Sequence, residues 1–302
     1  MQSTPITLFV YARLHHTQRT VEALLKNPFC ANHDLIIFSD GARTPEQQTA
    51  VNEVRAYLTT IIGFRSVKIY QRPHNFGLAK SIIAGVTQVL SEHERIIVLE
   101  DDMVTSHYFL AYMTDALERF AEDERVISVH GYVYPLEQRL PEAFFLRGAD
   151  CWGWGTWRRG WSLFNPDGQS LFKELQQNGL IKDFDFNGTY AYSTMLKNQT
   201  RGLNDSWAIR WYASAYLANK LTLYPGRSLV HNIGNDSTGE HCGDESVFDT
   251  ELSRTAIDLS AVVATPSEAG RAAFESFFKR NQTSLFGRLR NRIKKLIFKT
   301  AR

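Results

Sequence analysis

The chain has 302 residues, of which 43% are hydrophobic and 22% are charged, and its formal net charge is +2. This balance is ordinary for a soluble enzyme, and no window approaches the ~20 apolar residues of a membrane-spanning helix. The cysteines Cys30, Cys151 and Cys242 are odd in number and scattered, which argues against a disulfide framework and favours a reducing compartment. Residues 1–5 lack the features of a secretory signal, so we expect a cytoplasmic protein.

Strands and helices alternate through the first hundred residues. Apolar, β-branched runs predict four strands, at residues 6–11, 35–39, 67–70 and 95–99. Apolar residues at helical spacing predict the intervening helices at 17–26, 46–60 and 78–90. This alternation predicts βαβ units, and therefore an α/β fold with a mostly parallel sheet flanked by helices. We expect residues 1–104 to form a nucleotide-binding half.

The pattern changes after this half. We predict helices at 108–121, 190–197 and 207–219, strands at 126–129 and 221–223, and a polar loop at 232–244. Residues 105–250 are expected to form the second half of the same domain. Residues 251–302 form a separate C-terminal segment, predicted to be helical from about residue 267 with an interruption near Gly287.

Three acidic residues follow the fourth predicted strand. The apolar run at 96–99 leads directly into Glu100, Asp101 and Asp102. Because a buried strand cannot hold three carboxylates, we expect them past its carboxyl end, where open α/β sheets bind ligands. Clustered carboxylates raise one another's pKa, and a hard divalent cation would stabilise them. The alternative is a solvated acidic loop.

Two other predicted strands end in polar or glycine residues. Asp40 and a glycine end the second strand, and Asn75, Gly77 and Lys80 lie between the third strand and the next helix. Three such strand ends at one sheet edge indicate a binding site. The helix beginning near Leu78 also offers backbone N–H groups to an anion.

In this order, the motifs resemble the nucleotide-sugar-binding half of GT-A glycosyltransferases. The triplet at 100–102 resembles the Asp-x-Asp variant of the N-acetylglucosaminyltransferase-I-like or family 2 group. Residues 152–157 (WGWGTW), 205–210 (DSWAIR) and 232–242 resemble bacterial transferases of this group, which are encoded with surface-polysaccharide pathways. The resemblance covers roughly residues 5–245, and it implies that the second half binds the acceptor.

The resemblance also implies roles for the strand-end residues. Asp102 would bind Mn²⁺ or Mg²⁺ directly, while Asp101 and Glu100 would contact the ribose or bridge through water. Asp40 would lie near the base, and residues 75–80 near the ribose and diphosphate. The cation would neutralise charge on the departing nucleoside diphosphate.

An inverting transfer also needs a carboxylate to accept the proton of the acceptor hydroxyl. The candidate is Asp205, at the predicted start of a helix and next to a tryptophan, as in the enzymes that the chain resembles. Two alternatives stay open. In the first, Asp205 serves only as a helix N-cap, which is a common use of aspartate. In the second, Asp150 is the base.

A late histidine is expected as a further metal ligand, as is frequent in GT-A enzymes. His241 is the candidate and His231 the alternative, because neutral imidazole is acceptable to manganese. A structural loop histidine is the competing interpretation. His241 and Cys242 do not have the spacing of a zinc site.

Four of the six tryptophans lie within residues 151–161. Trp152, Trp154 and Trp157 are candidates for a sugar pocket, because sugars present apolar C–H faces that stack on aromatic rings. The adjacent glycines favour a tight turn near a site. Packing in the core is the alternative.

The C-terminal segment carries a concentrated positive charge. Nine basic residues and no acidic residue follow Glu275, so residues 1–275 carry a formal charge of about −7. Leu289, Ile293 and Leu296 have helical spacing with bases on the rest of the helix, which is typical of an amphipathic helix at an anionic membrane. Packing on the globule is the alternative. Nucleic acid is not expected as a partner, because the globule is acidic.

The sequence therefore predicts a metal-dependent glycosyltransferase, with inversion implied by the resemblance. It would move a sugar from a nucleoside-diphosphate-sugar to a saccharide or lipid-linked saccharide acceptor at the inner face of the cell membrane. One alternative is a sugar nucleotidyltransferase, although residues 11–16 lack the expected glycine-rich loop. The other is a non-catalytic carbohydrate-binding protein derived from a transferase.

Overall fold

The computed structural model describes residues 4–234 and 246–281. The main sheet contains β1 (Ile6–Val10), β2 (Asp34–Ser39), β3 (Ser66–Gln71), β4 (Arg95–Glu100), β6 (Val126–His130), β7 (Ala143–Arg147), β8 (Trp154–Trp157) and β9 (Leu221–Pro225). Their order across the sheet is β3-β2-β1-β4-β8-β6-β9-β7. A small antiparallel sheet pairs β5 (Met103–Thr105) with β10 (Val230–Asn232).

Ten α-helices accompany these strands in the described part of the chain. They are α1 (Leu14–Leu25), α2 (Gln48–Leu58), α3 (Leu78–Glu92), α4 (Phe109–Arg119), α5 (Arg158–Trp161), α6 (Gly168–Gln177), α7 (Ile181–Phe184), α8 (Tyr192–Thr200), α9 (Trp207–Leu217) and α10 (Glu268–Arg280). All three helices predicted in the first hundred residues are present, as α1, α2 and α3.

The predicted parallel arrangement holds in the first half of the sheet. Strands β3, β2, β1 and β4 are parallel neighbours, as βαβ connections require. Beyond β4 the sheet is mixed, because β8 is antiparallel to both β4 and β6, and β7 is antiparallel to β9. Both predicted halves contribute to this one sheet, and the α/β fold class is confirmed.

The sheet separates two apolar layers. Successive side chains of a strand point to opposite faces, so Leu8 packs with α1, α2 and α4 while Phe9 packs with α3. Phe9 stacks on Phe38 at 5.3 Å between ring centroids, above Ile82 of α3. These contacts fix α3 under the strands whose carboxyl ends carry the polar residues.

Helix α10 packs against the opposite edge of the sheet. Ser267 caps its first turn by accepting the N–H of Gly270, and the rings of Phe274 and Phe277 lie 4.9 and 4.8 Å from Tyr134. The first part of the predicted C-terminal helix is thus packed on the globule. The basic residues from 282 onward lie outside the described residues. Within those residues, no helix is both long enough and apolar enough to cross a bilayer.

Candidate active site

Three polar strand ends meet along one edge of the parallel half of the sheet, as predicted. They are Asp40 after β2, the turn at 75–77 between β3 and α3, and the triplet at the end of β4. Strand β1 lies between β2 and β4. The site therefore spans four adjacent strands.

Asp40 holds the turn that precedes α3. Its Oδ1 accepts the backbone N–H of Phe76 at 2.8 Å, and its Oδ2 accepts the N–H of Gly77 at 3.0 Å. The side-chain amide of Asn75 donates to the same Oδ2 at 3.1 Å. Gly77 has φ of 74°, in the region that glycine adopts without strain. Asp40, Asn75 and Gly77 are thus one unit, and Lys80 is exposed on the first turn of α3.

The acidic triplet is buried more deeply than predicted. Glu100 is the last residue of β4, paired with Phe9, and does not lie beyond the strand; it is half-buried. Asp101 and Asp102 follow it and are buried. Burial, with the charges of Asp102 and Asp101, raises the pKa of Glu100 to about 8. Burial raises the pKa of Asp101 to about 6, against the opposing effect of Arg13.

Arg13 is the residue that sequence analysis missed. It lies between β1 and α1, and its guanidinium donates to Asp101 and, at 2.7 Å, to Oδ2 of Asp102. Burial alone would lower the pKa of Arg13, but the two carboxylates hold it above its ordinary value. The signal available in the sequence was a basic residue shortly after β1, because β1 lies beside β4, the strand that ends in the acidic triplet.

The surroundings of Asp102 fit a divalent cation. Its Oδ1 is buried and has no hydrogen-bond partner among the described residues. Gly234 lies so close that a Cβ there would be 2.1 Å from Oδ2, so this backbone leaves no room for a side chain. The N–H of Ile233 donates to the carbonyl of Asp102 at 2.8 Å and holds the two segments together. An unpartnered carboxylate oxygen of this kind is a ligand that Mg²⁺ and Mn²⁺ accept.

The expected histidine ligand is not established by the structure. His241 lies outside the described residues, and the alternative His231 uses its Nδ1 in a 3.0 Å contact with the carbonyl of Thr250. In residues 4–234 and 246–281, no three His, Cys, Asp or Glu side chains are grouped to hold a metal.

Asp205 precedes α9 but is not its N-cap. The cap is Ser206, whose Oγ accepts the N–H of Ile209 at 3.2 Å. The side chain of Asp205 is 71% exposed, and its Oδ1 accepts from Arg210 at 3.1 Å. Its carboxylate is therefore held by an arginine and open to solvent.

The three tryptophans proposed for a sugar pocket occupy different environments. Trp154 and Trp157 are only 1% and 4% exposed, because they lie in β8, a strand that was expected to be a turn. Trp154 packs on Trp207, and Trp157 donates its indole N–H to the carbonyl of Leu117 at 3.0 Å. These two residues belong to the apolar core. Trp152 is half-buried and retains an accessible face.

The packing of Trp154 also relates α9 to the acids. Trp154 pairs with Val98, two residues before Glu100, and its ring centroid lies 5.5 Å from that of Trp207. The first turn of α9 is thus packed beside the carboxyl end of β4.

Residues 6–147 match the family model described as Glycosyl transferase family 2. The matched segment contains Arg13, Asp40, the turn at 75–77 and the acidic triplet. The segment is similar to this family, which supports the predicted glycosyltransferase class, and the predicted GT-A-like α/β fold is confirmed. No curated protein matches the chain.

Solved structures of several transferases share parts of the fold at low similarity. The mannosyltransferase PcManGT from Pyrobaculum calidifontis, in complex with GDP-Man and Mn²⁺, has 10% identity and a TM-score of 0.33 over 59% of this chain and 48% of its own. S. aureus TarS 1-349 has 11% identity and a TM-score of 0.41 over 76% and 60%. Mouse xyloside xylosyltransferase 1 has 12% identity and a TM-score of 0.34 over 63% and 77%. The chain thus spans about half to three fifths of the first two, and likenesses this low carry no argument about substrates.

Proposed function

We propose that this chain transfers a sugar, with inversion, from a nucleoside-diphosphate-sugar to a saccharide acceptor with the help of a divalent cation. The observation that carries the proposal is the buried pair Asp101 and Asp102 at the carboxyl end of β4. One oxygen of Asp102 has no partner within the described part of the chain, and Asp102 lies inside the segment that matches the transferase family.

The donor lies along the edge from β3 to β4. The unit of Asp40, Asn75 and Gly77 lines the nucleoside end, and Lys80 lies next to it at the start of α3. Glu100 and Asp101 face the ribose. Asp102 would bind Mn²⁺ or Mg²⁺ with His241 as a further ligand, and such a cation would supply charge neutralisation for the departing diphosphate.

Asp205 accepts the proton of the acceptor hydroxyl. Its exposure and its freedom from helix capping support this role, and Arg210 orients the carboxylate. The acceptor oxygen then bonds to the anomeric carbon while the bond from that carbon to the diphosphate oxygen breaks. Trp152, with its accessible face, lines the sugar pocket.

The acceptor is a lipid-linked saccharide of a bacterial surface polysaccharide, such as an O-antigen, a capsule or an exopolysaccharide. The charge distribution supports this part of the proposal, because the bases after Glu275 give an acidic globule a cationic end. The protein would then work peripherally at the inner face of the cell membrane.

Asp205→Ala tests the catalytic assignment. We expect sugar transfer to fall by at least about a hundredfold, the lower end for loss of a general base, while donor binding in the presence of Mn²⁺ stays nearly intact. Donor binding is measured as a thermal shift and transfer as release of nucleoside diphosphate. Asp258→Ala, at an exposed aspartate, is the control. Full turnover of Asp205→Ala would remove Asp205 from this role.

A further inference from the structure

Among the residues that the structure describes, Asp150 is a carboxylate without a charged basic partner. It lies between β7 and β8, where its Oδ1 accepts the N–H of Cys151 at 2.8 Å and its side chain is 25% exposed. Within the described residues, the basic group nearest to it is Nε2 of His130, at 3.9 Å. That nitrogen accepts the N–H of Trp152 at 2.9 Å, and burial lowers the pKa of His130, so the imidazole is neutral. The carboxylate therefore stays uncompensated.

Aromatic side chains surround this carboxylate. We call them the aromatic basin, which consists of Tyr132, Tyr134, Trp152, Tyr192, Tyr224 and Phe248. The Tyr132 ring lies 4.7 Å from Trp152, which in turn lies 5.7 Å from Phe248. The hydroxyl of Tyr224 reaches Oδ2 of Asp150 at 3.5 Å. Burial first, and Asp150 next, raise the pKa of Tyr192 and Tyr224, as expected for phenols near an unpaired negative charge.

Part of the aromatic basin is accessible. Three of its residues are half-buried: Tyr134, Trp152 and Tyr192. A quarter of the Asp150 side-chain surface is exposed. A ligand can therefore reach the exposed parts of the Asp150 carboxylate and of the Trp152 side chain.

The aromatic basin continues the row of strand ends beyond the acidic triplet. Strand β8, which begins two residues after Trp152, is the neighbour of β4. Burial, then Asp150, and then Glu100 and Asp102 raise the pKa of Cys151, so this loop lies within electrostatic reach of both acidic groups. Along this edge of the sheet, starting from β3, the unit of Asp40, Asn75 and Gly77 comes first, the acidic triplet second and the aromatic basin third.

We propose that the aromatic basin binds a pyranose ring, with Asp150 accepting hydrogen bonds from its hydroxyls and Trp152 stacking on its C–H face. This assignment rests on the proposed transferase function and gives Asp150 a binding role in place of the alternative role of base. An ionised acceptor makes hydrogen bonds about twice as strong as a neutral one, and an aromatic face covers the apolar side of the sugar. The pyranose belongs either to the donor or to the acceptor.

The test measures saturation-transfer NMR of the full chain with three separate probes: methyl β-D-glucopyranoside, methyl α-D-mannopyranoside and methyl N-acetyl-β-D-glucosaminide. We expect at least one probe to receive saturation from the wild type. Asp150→Asn should weaken its binding by at least about tenfold, because the charged acceptor is lost while the amide oxygen still accepts the Cys151 N–H. Trp152→Ala should weaken it similarly, and Trp152→Phe should restore most of it.

Asp249→Asn is the matched control, because Asp249 is an exposed carboxylate whose charge also acts on Tyr132. It should leave probe binding unchanged. If no probe receives saturation from the wild type, or if Asp150→Asn binds as the wild type does, the assignment is overturned.

Thermal shifts with UDP-glucose, UDP-N-acetylglucosamine and GDP-mannose, each with Mn²⁺, separate this assignment from the proposed function. No shift in the wild type would contradict the proposed function even where a probe binds. If Asp150→Asn shows the same thermal shift as the wild type, the pyranose belongs to the acceptor. If its thermal shift falls to the value produced by the free nucleoside diphosphate, the pyranose belongs to the donor.

Discussion

Buried carboxylates need compensation, and the site supplies it in two ways. Asp40 accepts hydrogen bonds from backbone N–H groups of its own turn and of the next, whereas Asp101 and Asp102 share the guanidinium of Arg13. The first arrangement fixes a loop. The second leaves one oxygen of Asp102 without a partner among the described residues, which is a property expected of a cation ligand.

His130 gives the protein a pH-dependent stability. Burial lowers its pKa below the ordinary 6.5, while the nearby Asp150 raises it and Tyr132 and Tyr224 pack on its ring. The unfolded chain therefore binds a proton near pH 6.5 that the native protein does not, so this contribution is complete above pH 6.5 and is lost as the pH falls below it.

We expect the free energy of unfolding to fall less steeply from pH 6.5 to 5 in His130→Gln than in the wild type, by up to about 1.4 kcal/mol per pH unit. Urea denaturation at several pH values measures this. Glu100 and Asp101 act in the opposite direction, since their pKa values are raised, but they contribute equally to both proteins. Identical slopes would show that His130 is not the group responsible.

Among the elements, β8 decides how the two halves of the sheet join. It lies antiparallel between β4 and β6, and Trp154 packs against Trp161, Trp207 and Trp211. Its sequence, four residues with a glycine inside, has no periodicity that predicts a strand. The strands β1, β2 and β4 were predictable because each contains an apolar run next to a helix.

Trp154→Ala should destabilise the protein by about 3–5 kcal/mol, because it removes a fully buried ring and leaves a cavity. Trp152 lies two residues before the start of β8 and is only half-buried, so Trp152→Ala should cost less than about 2 kcal/mol. Chemical denaturation of both variants compares them. Equal losses would contradict the assignment of Trp154 to the core and Trp152 to the site surface.

At the scale of the whole molecule, the row of strand ends was predictable, but the contacts made across it were not. The order of motifs located Asp40, Asn75 and the acids, because carboxyl ends of neighbouring parallel strands meet at one edge. Arg13 escaped notice because its partners are 88 and 89 residues away in the sequence. Trp154 and Trp157 were assigned to a pocket because aromatic residues suit sugars and cores equally well.

The separation of charge along the chain predicts membrane behaviour. A chain ending at Asn281 lacks seven of the nine terminal bases, each worth about 1 kcal/mol near an anionic surface. We expect the full chain to sediment with phosphatidylglycerol vesicles but not with phosphatidylcholine vesicles, and the shortened chain to sediment with neither. Equal binding of both chains to the anionic vesicles would contradict the membrane proposal.

The central claim is that the acids at the end of β4 bind the diphosphate of a nucleotide-sugar through a cation. The direct test is the melting temperature with UDP-, GDP- and dTDP-sugars, with and without Mn²⁺, in the wild type and in Asp102→Asn. We predict that at least one nucleotide-sugar raises the melting temperature of the wild type in a Mn²⁺-dependent manner, because a ligand that binds the native state stabilises it. The variant should lose this shift. A wild type whose melting temperature no nucleotide-sugar changes, with or without Mn²⁺, would contradict the account.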